Sequence, residues 1–132
     1  MVLMKNDLPS LRSGFPPLLS LMYQLQQKSN ELLTKEAGVS LSQAHIMSGL
    51  DRSAVRSQRH VAGLLGQTEA NISRQLQAMK KQGLVSIAKN KKDKRSRDVK
   101  LTHKGQARYQ KALSLLKKEA KNHKKLLAQT IA

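Results

Sequence analysis

The stretch from Ser57 to Val85, SQRHVAGLLGQTEANISRQLQAMKKQGLV, leaves the chain few choices. Two apolar patterns of helical spacing are separated by little more than Gly66 and Gln67. Ser57 is a good N-cap, Val61, Leu64 and Leu65 supply the inward positions of a first helix, and Gly66 closes it. Thr68 then caps a second helix running to about Gln82, with Ile72, Leu76 and Met79 inward at spacings of four and three. Gly83 ends that helix, and a strand over 84–89 follows. Two short helices joined by so tight a glycine turn form a helix-turn-helix unit.

The flanks extend the unit. A Pro-interrupted lead-in (Pro9, Pro16, Pro17) precedes a helix from about Leu18 to Ala37, with Leu18, Met22, Leu25 and Leu32 on one face and Gly38 at its end. A short second helix starts near Ser40 or Ser42 and turns Leu41, Ile46 and Leu50 inward. A polar connector spans Asp51 to Arg56, and its Ala54-Val55-Arg56 segment fits a short strand. After strand 84–89 comes the basic loop NKKDKRSR, then a strand over 98–102, so the two make a hairpin. Thr102 caps a last helix from His103 to about Thr130. Its apolar seam reads Tyr109, Leu113, Leu116, Ala120, Leu127 and Ile131, with His123 in the same stripe, while Lys104, Lys111, Lys118 and Lys125 recur every seven residues on another face. The fold class expected is mainly α with a small β-hairpin wing, a winged helix-turn-helix with flanking N- and C-terminal dimerisation helices. Its divisions fall at 1–39 (lead-in and dimerisation helix), 40–102 (winged helix-turn-helix lobe) and 103–132 (C-terminal dimerisation helix), together one compact domain.

Charge says what such a chain would meet. The formal net charge is +17 over 132 residues, and residues 1–50 hold only four basic and three acidic side chains. The remaining residues therefore carry 21 basic and five acidic ones. Such asymmetry points to a polyanion, nucleic acid or an anionic membrane surface. No apolar run approaches the roughly 20 residues of a membrane span, and MVLMKNDLPS lacks the apolar stretch of a secretory signal. With no cysteine there is no disulfide framework and no thiolate metal site. A cytosolic location is expected. The four histidines (His45, His60, His103, His123) have neither the spacing nor the acidic company of metal ligands. No Ser/His/Asp set, carboxylate pair or phosphate-cradling glycine loop stands out, so no enzymatic activity, cofactor or metal is expected.

The segment from Ser57 to Gly105 also resembles the MarR family of bacterial transcriptional regulators. Three stretches carry the resemblance: HVAGLLG, TEANISRQLQAMKKQGLV and DKRSRDVKLTHKG. In that family the last reads as Asp-x-Arg, alternating apolar residues, then Leu-Thr-x-x-Gly, here Asp93, Arg95, Val99, Leu101, Thr102 and Gly105. Gln67 stands where the family usually has an apolar residue, and His60 where members often carry an acidic one. The resemblance implies a cytoplasmic, nucleoid-associated regulator. It also implies repression relieved by a small-molecule effector, although three aromatic residues (Phe15, Tyr23, Tyr109) offer little to line an aromatic pocket.

On this reading the outward residues of the helix from Thr68 (Thr68, Glu69, Ala70, Asn71, Ser73, Arg74 and Gln77) face the major groove, all but Glu69 as DNA contacts, and there Asn suits adenine and Arg suits guanine. The resemblance places Ala70, Asn71 and Arg74 at base-reading positions and Thr68 and Ser73 at phosphates. In the wing, Arg95 is expected in the minor groove, which concentrates negative potential. Asp93 is expected to hold the Arg95 guanidinium through a bidentate pair. Lys91, Lys92, Lys94 and Arg97 would neutralise flanking phosphates. Leu18, Met22 and Leu25 on the first helix, with Leu113, Leu116 and Leu127 on the last, are the expected dimerisation residues. The partners expected are double-stranded DNA and a second copy of the chain, with no membrane. Two other readings use the same residues: an architectural, largely non-specific DNA-binding protein, and an interaction module whose winged helix no longer reads DNA.

Overall fold

The computed structural model describes residues 15–50 and 55–131, with backbone alone at 126, 127, 130 and 131. Pro9, the connector from Asp51 to Ala54, and the side chains of Leu127 and Ile131 lie outside the described residues. In chain order the elements are α1 (Pro17–Glu36), α2 (Leu41–Ser48), β1 (Arg56–Ser57), α3 (Gln58–Leu65), α4 (Glu69–Lys81), β2 (Val85–Lys89), β3 (Arg97–Leu101) and α5 (His103–Ile131). They form two units, one of residues 42–111 and one of residues 1–41 with 112–132.

The 42–111 unit is a helical lobe with a three-stranded antiparallel sheet in the order β1-β3-β2. The hairpin expected from the sequence is present, with Val85 opposite Leu101 and Lys89 opposite Arg97. β3 is its central strand, because Arg56 and Ser57 pair with Val99 and Asp98 on the other side. Val99 and Leu101 are buried, whereas Lys100 between them is exposed, the alternation of a sheet with one face on a core. Ile46, Met47 and Leu50, then Val61, Ile72, Leu76 and Met79, are each inaccessible to solvent. Burying one such side chain fully contributes about 1.5–3 kcal/mol before conformational entropy is counted. Leu64 departs from expectation: it is exposed, and Ala62 is buried in its place. At about 100° per residue, Val61, Ala62 and Leu65 share one arc and Leu64 falls outside it.

Three contacts join the end of α4 to the start of α5. Thr102 Oγ1 donates to the Gly83 carbonyl and accepts from the Gly105 amide. The Thr102 amide donates to the Leu84 carbonyl at 3.0 Å. Lys104 Nζ donates to the Gln82 carbonyl at 2.8 Å, placing a cation at the negative end of α4. Lys104 thus serves as a cap, unlike the lysines that follow it at sevenfold spacing.

In the other unit, α1 begins with Pro17 in its first turn, where a missing amide costs no helical hydrogen bond. It closes through Gly38 at φ 68°, with the Ala37 amide donating to the Leu33 carbonyl. Asn30 Oδ1 accepts from the Leu41 amide at 2.9 Å. The apolar side of α1 is only partly covered: Leu21, Leu32 and Leu33 are buried, Leu25 is half-buried, and Leu18 and Met22 are exposed. On α5, Leu113 and Leu116 are half-buried, but Ala120 is exposed and the buried stripe passes instead through Ala112 and Glu119. Apolar spacing does not find Glu119, because a carboxylate is not expected inside. This one is met from two sides: Ser29 Oγ on α1 donates to Oε1 at 3.2 Å, and His123 Nε2 lies 3.1 Å away one helical turn on. No described helix is long and apolar enough to cross a membrane.

Candidate nucleic-acid interface

Caps set α3, the turn after it and the start of α4. Ser57 Oγ accepts from the His60 amide at 3.1 Å, and Thr68 Oγ1 accepts from the Asn71 amide at 3.1 Å. Gly66 has φ 62° and ψ 35°, a left-handed conformation that costs glycine little. The Gln67 amide then bonds back to the Ala62 carbonyl at 3.0 Å. With Ile72, Leu76 and Met79 fixed in the core, the opposite side of α4 is the one left to solvent. Thr68, Ala70, Arg74 and Gln77 are exposed there, while Asn71 and Ser73 are half-buried.

Two interactions at this surface are not among those expected from the sequence. Arg59 Nε donates to Glu69 Oε1 at 2.9 Å, linking α3 to the first turn of α4. Both groups are largely exposed, so the pair contributes little stability. Gln67 makes the other. Its Oε1 accepts from Asn71 Nδ2 at 2.6 Å and lies 3.5 Å from Gln75 Nε2. A polar tie along one flank of α4 thus stands where the resemblance implies an apolar turn residue. Spacings of four between residues 67, 71 and 75 are the signal that could reveal it.

The wing is an ordered turn. Asn90 Oδ1 accepts from the amides of Lys92 and Asp93 at 2.8 and 2.9 Å. Asn90 Nδ2 reaches both carboxylate oxygens of Asp98 on the facing strand, at 3.2 and 3.1 Å. The Asp93 carboxylate has a different task from the one expected. Its Oδ1 accepts from the Arg95 backbone amide at 3.0 Å, and the Ser96 amide donates to the Asp93 carbonyl at 3.0 Å. Among the described residues Asp93 and Arg95 form no ion pair. A carboxylate two residues before an amide closes a tight Asx turn, and this local bond orders the loop directly. Lys91, Lys92, Lys94, Arg95 and Arg97 are all exposed around it.

α3, α4 and the wing border one groove of about 440 Å³, lined by Ser57, Gln58, Arg59, Glu69, Asp93, Arg95, Ser96 and Arg97. Three guanidinium-bearing side chains against two carboxylates make it a place for an anion. Among the described residues, no group of three or more His, Asp or Glu side chains gathers as metal ligands would.

Comparison with known proteins agrees with this geometry. A family described as a winged helix DNA-binding domain matches residues 43–119, more than half of the chain. No curated protein matches by sequence. Among solved structures, the transcriptional regulator MOSR of M. tuberculosis in complex with DNA is 26% identical, with a TM-score of 0.64, over 74% of this chain and 70% of that one. MepR of S. aureus, also in a DNA complex, is 19% identical with a TM-score of 0.71, over 85% and 80%. AbsC of Streptomyces coelicolor, a MarR family transcriptional regulator, is 17% identical with a TM-score of 0.75, over 93% and 81%. The chain belongs to the winged helix DNA-binding domain family, and its fold is that of MarR-like transcriptional regulators.

Proposed function

We propose that this protein is a sequence-specific, double-stranded DNA-binding transcriptional regulator that acts as a cytoplasmic homodimer. In this reading α4 enters the major groove, with Ala70, Asn71, Arg74 and Gln77 toward base edges and Thr68 and Ser73 toward phosphates. The wing places Arg95 in the minor groove, with Lys91, Lys92, Lys94 and Arg97 beside phosphates. The observation that carries the reading is the groove shared by Glu69, at the start of α4, and Arg95, at the wing tip. One duplex lying along it would meet both. Bound dimers exclude other proteins from the same DNA, so repression is the output we assign. The reading requires no cofactor, and a small-molecule effector would act by favouring a dimer unable to span its site.

The test is selection from a random DNA pool, followed by titration at matched salt. A palindrome with half-sites about one helical turn apart, about 34–36 Å, is expected. Enrichment of no sequence at all would refute specific recognition.

Two sets of substitutions probe the roles of individual residues. Arg95→Ala is expected to weaken binding to the selected site by about 1–3 kcal/mol, the scale of a hydrogen bond to a charged group, without unfolding the lobe. Asp93→Ala should weaken it less, and Asp93→Asn should restore most of the loss, because an amide oxygen can still close the turn. If Asp93→Asn binds no better than Asp93→Ala, the carboxylate acts by charge and the turn assignment is wrong. Gln67→Leu releases Asn71, and base preference at the pair facing Asn71 is expected to relax by about 1 kcal/mol. Non-specific affinity should stay put. An unchanged set of selected sequences would show that the tie to Gln67 has no part in readout.

A further inference from the structure

We infer that the C-terminal half of α5 is a second, sequence-independent DNA-binding surface that holds a second duplex. The inference rests on the proposed function only in taking the winged lobe as the primary DNA-binding surface. Its basis is the run KKEAKNHKK, Lys117 to Lys125, in which all five lysines are exposed. At about 100° per residue, Lys117, Lys118, Lys121, Lys124 and Lys125 share an arc of about 120°. Between Ala112 and Lys125 the only other residue on that arc is Ser114. Ala112, which is fully buried, lies diametrically opposite. The one carboxylate of α5, Glu119, is turned away from the lysines, 5% exposed, and accepts from Ser29 Oγ, with His123 Nε2 3.1 Å away. The lysine face therefore has no counter-charge on its own helix.

The chemistry of the face selects its occupant. The same face of a second copy is a poor cover, since it would set lysine against lysine, and dehydrating five ammonium groups without partners is costly. A membrane-surface helix needs a free apolar face opposite its basic one to enter the headgroup region, and on α5 the opposite side, at Ala112 and Glu119, is already buried. A duplex suits it. The five lysines span about 12 Å of helix axis, and duplex DNA presents one charge per about 1.7 Å with both strands counted, so a duplex segment of that length holds about seven phosphates. Ammonium groups on flexible stems fit phosphates as point charges and impose no base preference.

The experiment is a two-duplex capture with the full chain. One 30-base-pair duplex is immobilised and a fluorescent duplex of unrelated sequence is offered at 50 mM and 200 mM salt. The parent is expected to retain the second duplex at low salt and release it at high salt. Changing Lys117, Lys118, Lys121, Lys124 and Lys125 together to Gln should lower second-duplex capture at least tenfold. The sequence preference selected from a random pool should be unaltered in that variant. No capture by the parent, or equal capture by the variant, would overturn the inference. So would stronger retention on phosphatidylserine vesicles than on DNA, which would make the face a membrane contact. Loss of sequence preference on Arg74→Ala tests the winged lobe separately, so the two readings fail independently.

Discussion

Gly105→Ala is expected to destabilise the winged lobe by more than about 3 kcal/mol, beyond the usual range for an overpacked site. A Cβ at position 105 would lie 2.0 Å from the Leu84 carbonyl oxygen and 2.9 Å from its carbon. Leu84 is buried, and its carbonyl already accepts the Thr102 amide, so it cannot retreat without opening the junction of α4, β2 and β3. A fall of about 10 °C or more in thermal midpoint is the expected readout. Gly63→Ala is the control with the opposite sign. That position is helical and exposed, and a methyl group there would meet nothing within 4 Å, so the change should stabilise by about 0.5–1 kcal/mol. Equal melting of parent and Gly105→Ala would show that the approach of α5 to Leu84 is not what locks the lobe.

Leu18→Glu combined with Met22→Glu is expected to yield a folded monomer. These side chains are 45% and 48% exposed, and Phe15, Leu19 and Tyr23 beside them are exposed as well. Contiguous apolar surface of this kind is uncommon on a monomer and is best covered by a second copy. In the proposed dimer, separating the copies would turn a two-handed grip on a palindrome into a single one, which should weaken binding to it by about 10²–10⁴. Weak non-specific binding should persist. Leu33→Glu provides the contrast, because Leu33 is wholly buried within one protomer and its change should cost the fold. Light scattering that finds the double variant still dimeric would move the interface elsewhere.

Much of this protein is legible in the order of its residues. Ser57, Thr68 and Thr102 cap helices where short hydroxyl side chains reach amides three residues on, a local geometry that needs no tertiary information. Gly66 and Gly83 take positive φ where helices must stop, and Ile72, Leu76 and Met79 have to face inward once α4 is helical. Contacts between residues distant in sequence are not legible. The apolar stripes depart from expectation at Leu64 and Ala120, because periodicity marks a face but not how much of it a neighbour covers. Glu119 does not read as a buried residue, since its partner Ser29 is 90 residues away. Charge pairs Asp93 with a guanidinium, yet the nearer claimant is a backbone amide two residues on, a choice settled by loop geometry. Sequence alone thus determined the helices, their caps and the cationic wing, because those depend on neighbours within a turn or two. Only the tertiary structure decided which polar groups spend their hydrogen bonds inside the protein and which remain for a ligand, because that depends on what the fold brings alongside them.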